Sequence, residues 1–155
     1  MKVELRKLAI YPRMSQETTA FAADLWIDGA KVGYAKNEGH GGATFVDWTA
    51  AREQRVEIEA TLKTRIPAKY KFASGVEWAI DEIVEAKRTE KETAKNDASF
   101  KRRGAKYGTA AARFDVPGEY GKETIWIEYA KGGEVAAKAQ MQTKHATLEN
   151  WTVIA

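Results

Sequence analysis

The residue pair Asp28-Gly29 constrains the fold of this chain more than any other feature of its sequence. The residues on both sides of it alternate apolar and polar side chains, as a strand with one buried face does. An Asp-Gly pair between two such segments favours the two-residue turn of a β-hairpin. The sequence therefore predicts an antiparallel hairpin that pairs residues 21–27 with residues 31–36.

Similar patterns divide the rest of the chain into an α+β arrangement of two layers, sheet and helices. Before the hairpin, alternation predicts a first strand that Pro12 ends. In the C-terminal third it predicts strands at residues 107–116, 124–130 and 151–154, with a turn at residues 117–121 between the first two. Two helices are expected in the centre of the chain, between the N-terminal meander and these strands.

Two segments remain open between helix and strand. In residues 46–64, Asp47 or Thr49 can cap a helix, although the apolar side chains of this segment also alternate as those of a strand would. Residues 134–144 are rich in alanine and unbranched side chains, which favours a short helix over a strand.

The second central helix is predicted to begin at Ser74, since Ser74 and Glu77 form a capping-box pattern. Four apolar residues then lie on one helical face: Val76, Ile80, Ile83 and Val84. Gly104 is a natural terminator. A helix that long would span about 45 Å at 1.5 Å per residue, so its polar end, residues 87–103, is expected to protrude, bend or stop near Asn96.

The composition fits one folded domain, residues 1–155, with five Trp, six Tyr and five Phe to build a core. There are no cysteines, which excludes disulfides and thiolate chemistry. Residues 1–11 alternate charged and apolar side chains and lack the apolar core of a signal peptide. No apolar run approaches the roughly 18 residues of a membrane span. We therefore expect a cytoplasmic protein with no membrane partner.

The hairpin and the loop after it carry a resemblance to other proteins. Residues 24–34, DLWIDGAKVGY, and residues 37–42, NEGHGG, resemble the N-terminal region of uncharacterised small proteins from phages, plasmids and related bacterial mobile elements. The resemblance implies an origin in such an element, where many small proteins act by binding host machinery. It implies no catalytic residue.

The loop 37–42 is the candidate for chemistry. His40 lies among three glycines, and Glu38 precedes it by two residues, so the two could act as an acid–base pair. The alternative is a solvated hairpin exit, which the absence of a strand–helix context favours. The other histidine, His145, is distant in sequence, and no metal site or cofactor is expected.

Positive charge is concentrated near the C-terminus, because residues 101–155 carry nine basic and six acidic side chains of a protein with net charge +3. Four cations stand there without an acidic neighbour: Lys101, Arg102, Arg103 and Lys106. Phe100 and Tyr107 flank them, and aromatic rings can stack on unpaired bases while cations neutralise phosphates. The alternative is a solvated helix end, whose dipole favours cations.

Three functions are compatible with these features. The first is a non-enzymatic binding protein that engages a host protein or nucleoprotein, such as an inhibitor of a defence system. The second is a nucleic-acid-binding module that uses the 101–106 cluster together with Tyr107. The third is an enzyme built around the His40 loop.

Overall fold

The computed structural model of the protein describes residues 1–70, 74–118 and 121–154. They form three α-helices and two antiparallel sheets, which confirms the predicted α+β class. The elements in chain order are β1 (Val3–Ile10), β2 (Phe21–Ile27), β3 (Ala30–Asn37), β4 (Phe45–Trp48), α1 (Arg52–Lys63), a short 3-10 turn (Ala68–Tyr70), α2 (Gly75–Tyr107), β5 (Thr109–Gly118), β6 (Gly121–Ala130), α3 (Glu134–Lys144) and β7 (Glu149–Ile154).

The chain divides into two compact units, Met1–Glu90 and Lys91–Ala155. The first unit contains the sheet β1-β2-β3-β4, and the second contains the sheet β6-β5-β7. Among the described residues, no helix combines the length and the apolar character that crossing a bilayer needs.

The predicted hairpin is confirmed as β2 and β3, whose register runs from Phe21 opposite Asn37 to Ile27 opposite Ala30. Asp28 and Gly29 form its turn with φ values of 48° and 83°, the positive pair that an Asp-Gly turn favours. Burial alternates along β2 because one face of the sheet is covered. The core of this unit consists of β2 and β3 side chains packed on α1 and the start of α2: Phe21, Leu25, Ile27, Val32, Ala35, Ile58, Leu62, Val76, Ile80 and Val84.

The segment 46–64 resolves into the end of strand β4 followed by helix α1. The expected caps were wrong: α1 begins after Ala51, which makes no side-chain cap hydrogen bond. Asp47 instead pairs with Tyr34 in the sheet, and the amide of Thr49 donates to a β3 carbonyl at 2.9 Å. Strand pairing holds Asp47 in β4, and the hydrogen bond to Val32 holds the backbone of Thr49 against β3, so the helix begins after both residues.

Helix α2 begins at the predicted position, since the Ser74 hydroxyl accepts the Glu77 amide at 3.3 Å. The carboxylate at this helix start comes from another helix. Glu59 of α1 accepts the amides of Gly75 at 2.5 Å and Val76 at 3.0 Å. A carboxylate is favourable there because the N-terminal end of a helix carries partial positive charge. The cap is therefore a tertiary contact between α1 and α2.

In the second unit, helices lie against both faces of the three-stranded sheet. On one face Phe100 of α2 stacks on Trp126 of β6, with ring centroids 6.5 Å apart. On the other face Phe114 stacks on Trp151 of β7 at 5.7 Å, and the indole of Trp151 donates to Glu134 of α3 at 3.3 Å. The C-terminal strands and the helix at 134–144 are confirmed. The predicted turn at 117–121 includes residues 119 and 120, which lie outside the described residues.

The predicted end of α2 was wrong, because the helix runs unbroken for 33 residues, past both Asn96 and Gly104, to Tyr107. Gly108, with φ of 70°, follows the last helical residue, as is common for a C-terminal glycine. Gly104 serves packing instead. A Cβ at that position would lie 2.8 Å from the carbonyl oxygen of Thr109.

Replacing Gly104 with alanine is therefore expected to destabilise the protein, although alanine is favoured over glycine by about 1 kcal/mol in a helix interior. The added methyl meets backbone rather than a movable side chain, so β5 must shift away from α2. Urea denaturation of Gly104→Ala should give a lower free energy of unfolding than the native protein. Ala105→Gly, at the exposed neighbouring position, is the control and should cost about 1 kcal/mol. A Gly104→Ala protein of increased stability would show that the close approach is not needed.

Candidate functional site

The four predicted cations all lie in the last turns of α2, and all four are exposed. They do not form a single patch. At about 100° per residue, Arg102 and Lys106 share one side of the helix, whereas Lys101 and Arg103 lie roughly 100° from Arg102 in opposite directions. A cluster in the sequence is thus divided among three sides of a helix.

Arg103 is held by its own unit. Its Nε donates to Glu128 of β6 at 2.8 Å, and its guanidinium lies 4.3 Å from the centroid of the Phe100 ring. Lys106 remains exposed, with its Nζ 5.0 Å from the ring centroid of Tyr107, a side chain that is 65% exposed. Arg103 therefore fastens α2 to its sheet, whereas Lys106 and Tyr107 face outward.

Two lysines from earlier turns align with the outward cations. At about 100° per residue, four side chains fall within an arc of roughly 60°: Lys91, Lys95, Arg102 and Lys106. Lys101 borders this arc, and the five cations are called the basic face below. The side chains between them are three exposed alanines: Ala94, Ala98 and Ala105. Within the described part of the chain, no cation of the basic face forms an ion pair.

The basic face lies opposite the packed side of α2, where Phe100 contacts Trp126. Proximity in the sequence does not identify it, because Lys91 and Lys95 are followed by Asp97 and stand next to Glu92. The helical period does identify it, provided that the helix continues through Gly104. Because Gly104 was expected to end the helix, Lys106 was not expected to be helical and could not be aligned with the other cations.

The glycine loop after β3 packs against the segment that precedes β2. Gly39 is buried with φ of 88°, and its carbonyl accepts the amides of Gln16 at 2.9 Å and Glu17 at 3.0 Å. A Cβ on Gly39 would lie 2.3 Å from a carbonyl oxygen of that segment. The side-chain oxygen of Asn37 accepts the Gly39 amide at 2.8 Å. Packing and a positive φ thus account for this glycine.

His40 is exposed and borders a surface depression of about 430 Å³, whose lining also includes Lys36 and Phe45. Glu38 does not serve as its partner, because the Glu38 carboxylate accepts the Lys36 ammonium at 3.0 Å. This hydrogen bond lowers the pKa of Glu38. The described residues offer no hydrogen bond to the His40 ring. The loop brings together the side chains of an acid–base pair but not the contact that such a pair needs.

Three carboxylates of α2, at helical positions i, i+4 and i+8, hold the loop before β2 and the loop before β4. The Thr44 amide donates to Glu77 at 2.7 Å, and its hydroxyl donates to Asp81 at 2.7 Å. One turn further on, the Thr19 hydroxyl donates to Glu85. Both threonines are buried. This carboxylate row positions the loops, and each carboxylate is already occupied by a donor from the protein.

The protein raises the pKa of Asp81, the middle carboxylate of the row. Asp81 is exposed at the protein surface, but partial burial of its carboxyl group raises the pKa of Asp81. The Thr44 hydrogen bond opposes this rise, and the nearby carboxylates of Glu77 and Glu85 add to it. A raised pKa in the folded state means that the folded protein holds this proton more tightly than the unfolded chain. The stabilisation is complete below the usual aspartate pKa of about 3.9 and is lost as pH rises through the raised value.

Asp81→Asn is therefore expected to increase the free energy of unfolding at pH 7, because the amide carries no charge and its oxygen can still accept the Thr44 hydroxyl. The advantage should shrink towards zero as pH falls below about 3.9. Urea denaturation at several pH values measures it. Asp47→Asn, at an exposed position of β4, is the matched control and should show no such trend. An Asp81→Asn protein less stable at pH 7 would mean that the charged hydrogen bond outweighs the burial.

Within the described ranges, no group of three or more histidine, aspartate or glutamate side chains is arranged to hold a metal ion. Comparisons with protein-family models, with curated proteins and with solved structures find no match to this chain. Function is therefore inferred from the chemistry of the described surfaces.

Proposed function

We propose that this protein is a binding protein that engages double-stranded nucleic acid through the basic face of α2. One observation supports the proposal: five exposed cations without an ion-pair partner among the described residues are separated only by alanines. Lysine and arginine side chains neutralise phosphates, and the counterions that are released drive binding. The sequence led us to expect a host protein or nucleoprotein as the partner, and a nucleoprotein would present the same phosphates.

The dimensions of the basic face suit a phosphate backbone. Lys91 and Lys106 are 15 positions apart, which is about 22 Å along a helix that rises 1.5 Å per residue. Double-stranded DNA carries one charge per about 1.7 Å of its axis, so a row of this length passes several phosphates. The alanines allow the helix to approach closely. Asparagine and glutamine, which read adenine edges, do not occur on the basic face. Because the lysines and arginine of this face are proposed to contact phosphates rather than base edges, the binding is expected to be independent of sequence.

A purely structural role explains only part of this face. The helix dipole stabilises cations within the last turn of a helix, and Lys106 lies there. Lys91 and Lys95 lie 16 and 12 residues before the end of α2, which is beyond the reach of that effect. A helix that needed only solubility on this side would be expected to mix charges of both signs.

The distribution of charge agrees with the proposal. Residues 1–90 carry fourteen basic and fourteen acidic side chains, whereas residues 91–155 carry eleven basic and eight acidic ones. The whole net charge of +3 thus belongs to the unit that contains the basic face. A charge distributed in this way steers a polyanion towards that unit.

The test is the binding of a fluorescent 20-base-pair DNA duplex, followed by anisotropy across a range of salt concentrations. If four phosphates are contacted, log affinity should fall with log salt at a slope of about −3.6, so affinity should fall about 10²-fold between 50 and 200 mM salt. A second duplex of unrelated sequence should bind equally well. Absence of binding at 50 mM salt, or a slope near zero, would overturn the proposal.

A further inference from the structure

The first unit contains a second candidate site, a surface cavity of about 680 Å³ between β4, α1 and the start of α2. Ligand sites commonly have volumes of about 300–1,000 Å³ and are lined by apolar side chains with a few polar groups. The apolar lining comes from five side chains: Val46, Trp48, Val56, Ala60 and Val76. Val56 is 63% exposed, so helix α1 presents a large apolar side chain to this cavity rather than to the core.

The carboxylates that line the cavity are occupied by the protein. Glu59 accepts the first two amides of α2, Gly75 and Val76. Glu77 accepts the amide of Thr44 at 2.7 Å. Their negative charge is therefore directed at backbone donors, and it is not free to bind a cation in the cavity.

The cations that line the cavity are free of acidic partners. Arg52 and Arg55 are exposed, one turn apart on α1, and form no ion pair within the described residues. The guanidinium of Arg55 lies 6.0 Å from the centroid of the Trp48 ring. Both arginines stand in the first turns of a helix, where the dipole disfavours cations. The stability of α1 does not account for two arginines there.

We infer that this cavity binds a small aromatic anion, with its ring against Trp48 and Val56 and its carboxylate between Arg52 and Arg55. Guanidinium groups form charge-assisted hydrogen bonds to carboxylates, often two at once. An aromatic ring contacts an indole favourably in an offset or edge-on arrangement. This inference goes beyond the proposed function, since it concerns the other unit and none of the residues of the basic face.

The experiment compares 2-naphthoate with its uncharged analogue 2-naphthamide, using isotope-labelled protein and NMR titration. Naphthoate should bind saturably, shift the indole signal of Trp48 and the amide of Val56, and bind at least tenfold more tightly than naphthamide. Equal affinity of the two probes would overturn the anionic specificity, and shifts confined to other residues would overturn the location.

Two cavity variants and one control make the test specific. Arg52→Gln with Arg55→Gln should reduce naphthoate affinity to that of naphthamide, whereas Arg13→Gln with Lys63→Gln removes two exposed charges outside the cavity lining and should change nothing. Ala60→Trp, from an exposed helical position on the lining, should fill the cavity and weaken both probes at least tenfold. Unchanged naphthoate binding in either cavity variant would overturn the inference. Duplex binding measured on the same proteins tests the proposed function separately.

Discussion

Replacing four cations of the basic face with glutamine is expected to lower duplex affinity by at least about 10³-fold at 50 mM salt, because each phosphate contact is worth roughly tenfold at that concentration. The variant combines Lys91→Gln, Lys95→Gln, Arg102→Gln and Lys106→Gln. Glutamine has nearly the helix propensity of lysine and arginine, so α2 should keep its helical circular dichroism. The salt slope of any residual binding should weaken to about −0.9 or less in magnitude, because Lys101 is the one cation of the basic face that remains.

A control with the same loss of charge separates this local effect from net charge. It combines Arg13→Gln, Lys63→Gln, Lys138→Gln and Lys144→Gln, four cations that lie outside the basic face. The control should bind duplex within about threefold of the native protein, because none of its four cations belongs to the basic face and charge outside the contacted row is partly screened by salt. Equal affinity of the native protein and the basic-face variant would show that these cations are merely solvated.

Lys91 and Lys95 distinguish the two interpretations of the basic face. If the cations only stabilise the end of the helix, the pair Lys91→Gln and Lys95→Gln should change nothing, because both lysines lie far from that end. If they contact phosphates, this pair should reduce the salt slope by about 2, as two contacts are lost. An unchanged slope would restrict the interface to the last turns of α2.

Local patterns predicted the elements of the fold because each is determined by near neighbours. The Asp28-Gly29 turn joins two alternating strands, and the apolar face of α2 repeats at helical spacing from Val76 to Val84. What could not be predicted depends on contacts between distant residues. The carboxylate at the start of α2 comes from Glu59, and Arg103 is paired with Glu128, which is 25 residues away in sequence.

The role of Gly104 shows the same limit at a single position. In sequence alone, a glycine near the end of a polar helix indicates termination. In the folded protein the carbonyl of Thr109 occupies the space that a side chain would need. The helix continues through Gly104 to Tyr107, and the alignment of Lys95 with Lys106 follows from that length. From the sequence alone, the candidate site could therefore be recognised as a cluster of basic residues. It could not be recognised as a row of cations along one side of a helix.

Phe114→Ala is expected to cost about 3–5 kcal/mol of unfolding free energy, as the removal of a fully buried phenylalanine commonly does. Phe114 has no exposed surface and contacts Trp151 and His145, with ring centroids 5.7 Å away in each case. The other buried apolar residues described in residues 91–155 are smaller: Ala111, Ala112 and Val116. Nothing else in that thin core can replace the lost ring, so a large part of a typical stability of 5–15 kcal/mol should disappear.

Native-state hydrogen exchange should locate this loss. Amides of β5, β6 and β7 are expected to lose protection in Phe114→Ala, whereas those of β2 and β3 should keep theirs, because their core consists of other residues, Leu25 and Val32 among them. Val135→Ala, at a side chain that is 83% exposed on α3, is the control and should change stability by less than about 0.5 kcal/mol. Equal loss of protection in β2 and in β5 would show that the two units unfold together. In that case Phe114 would support the whole chain rather than the unit that contains the basic face.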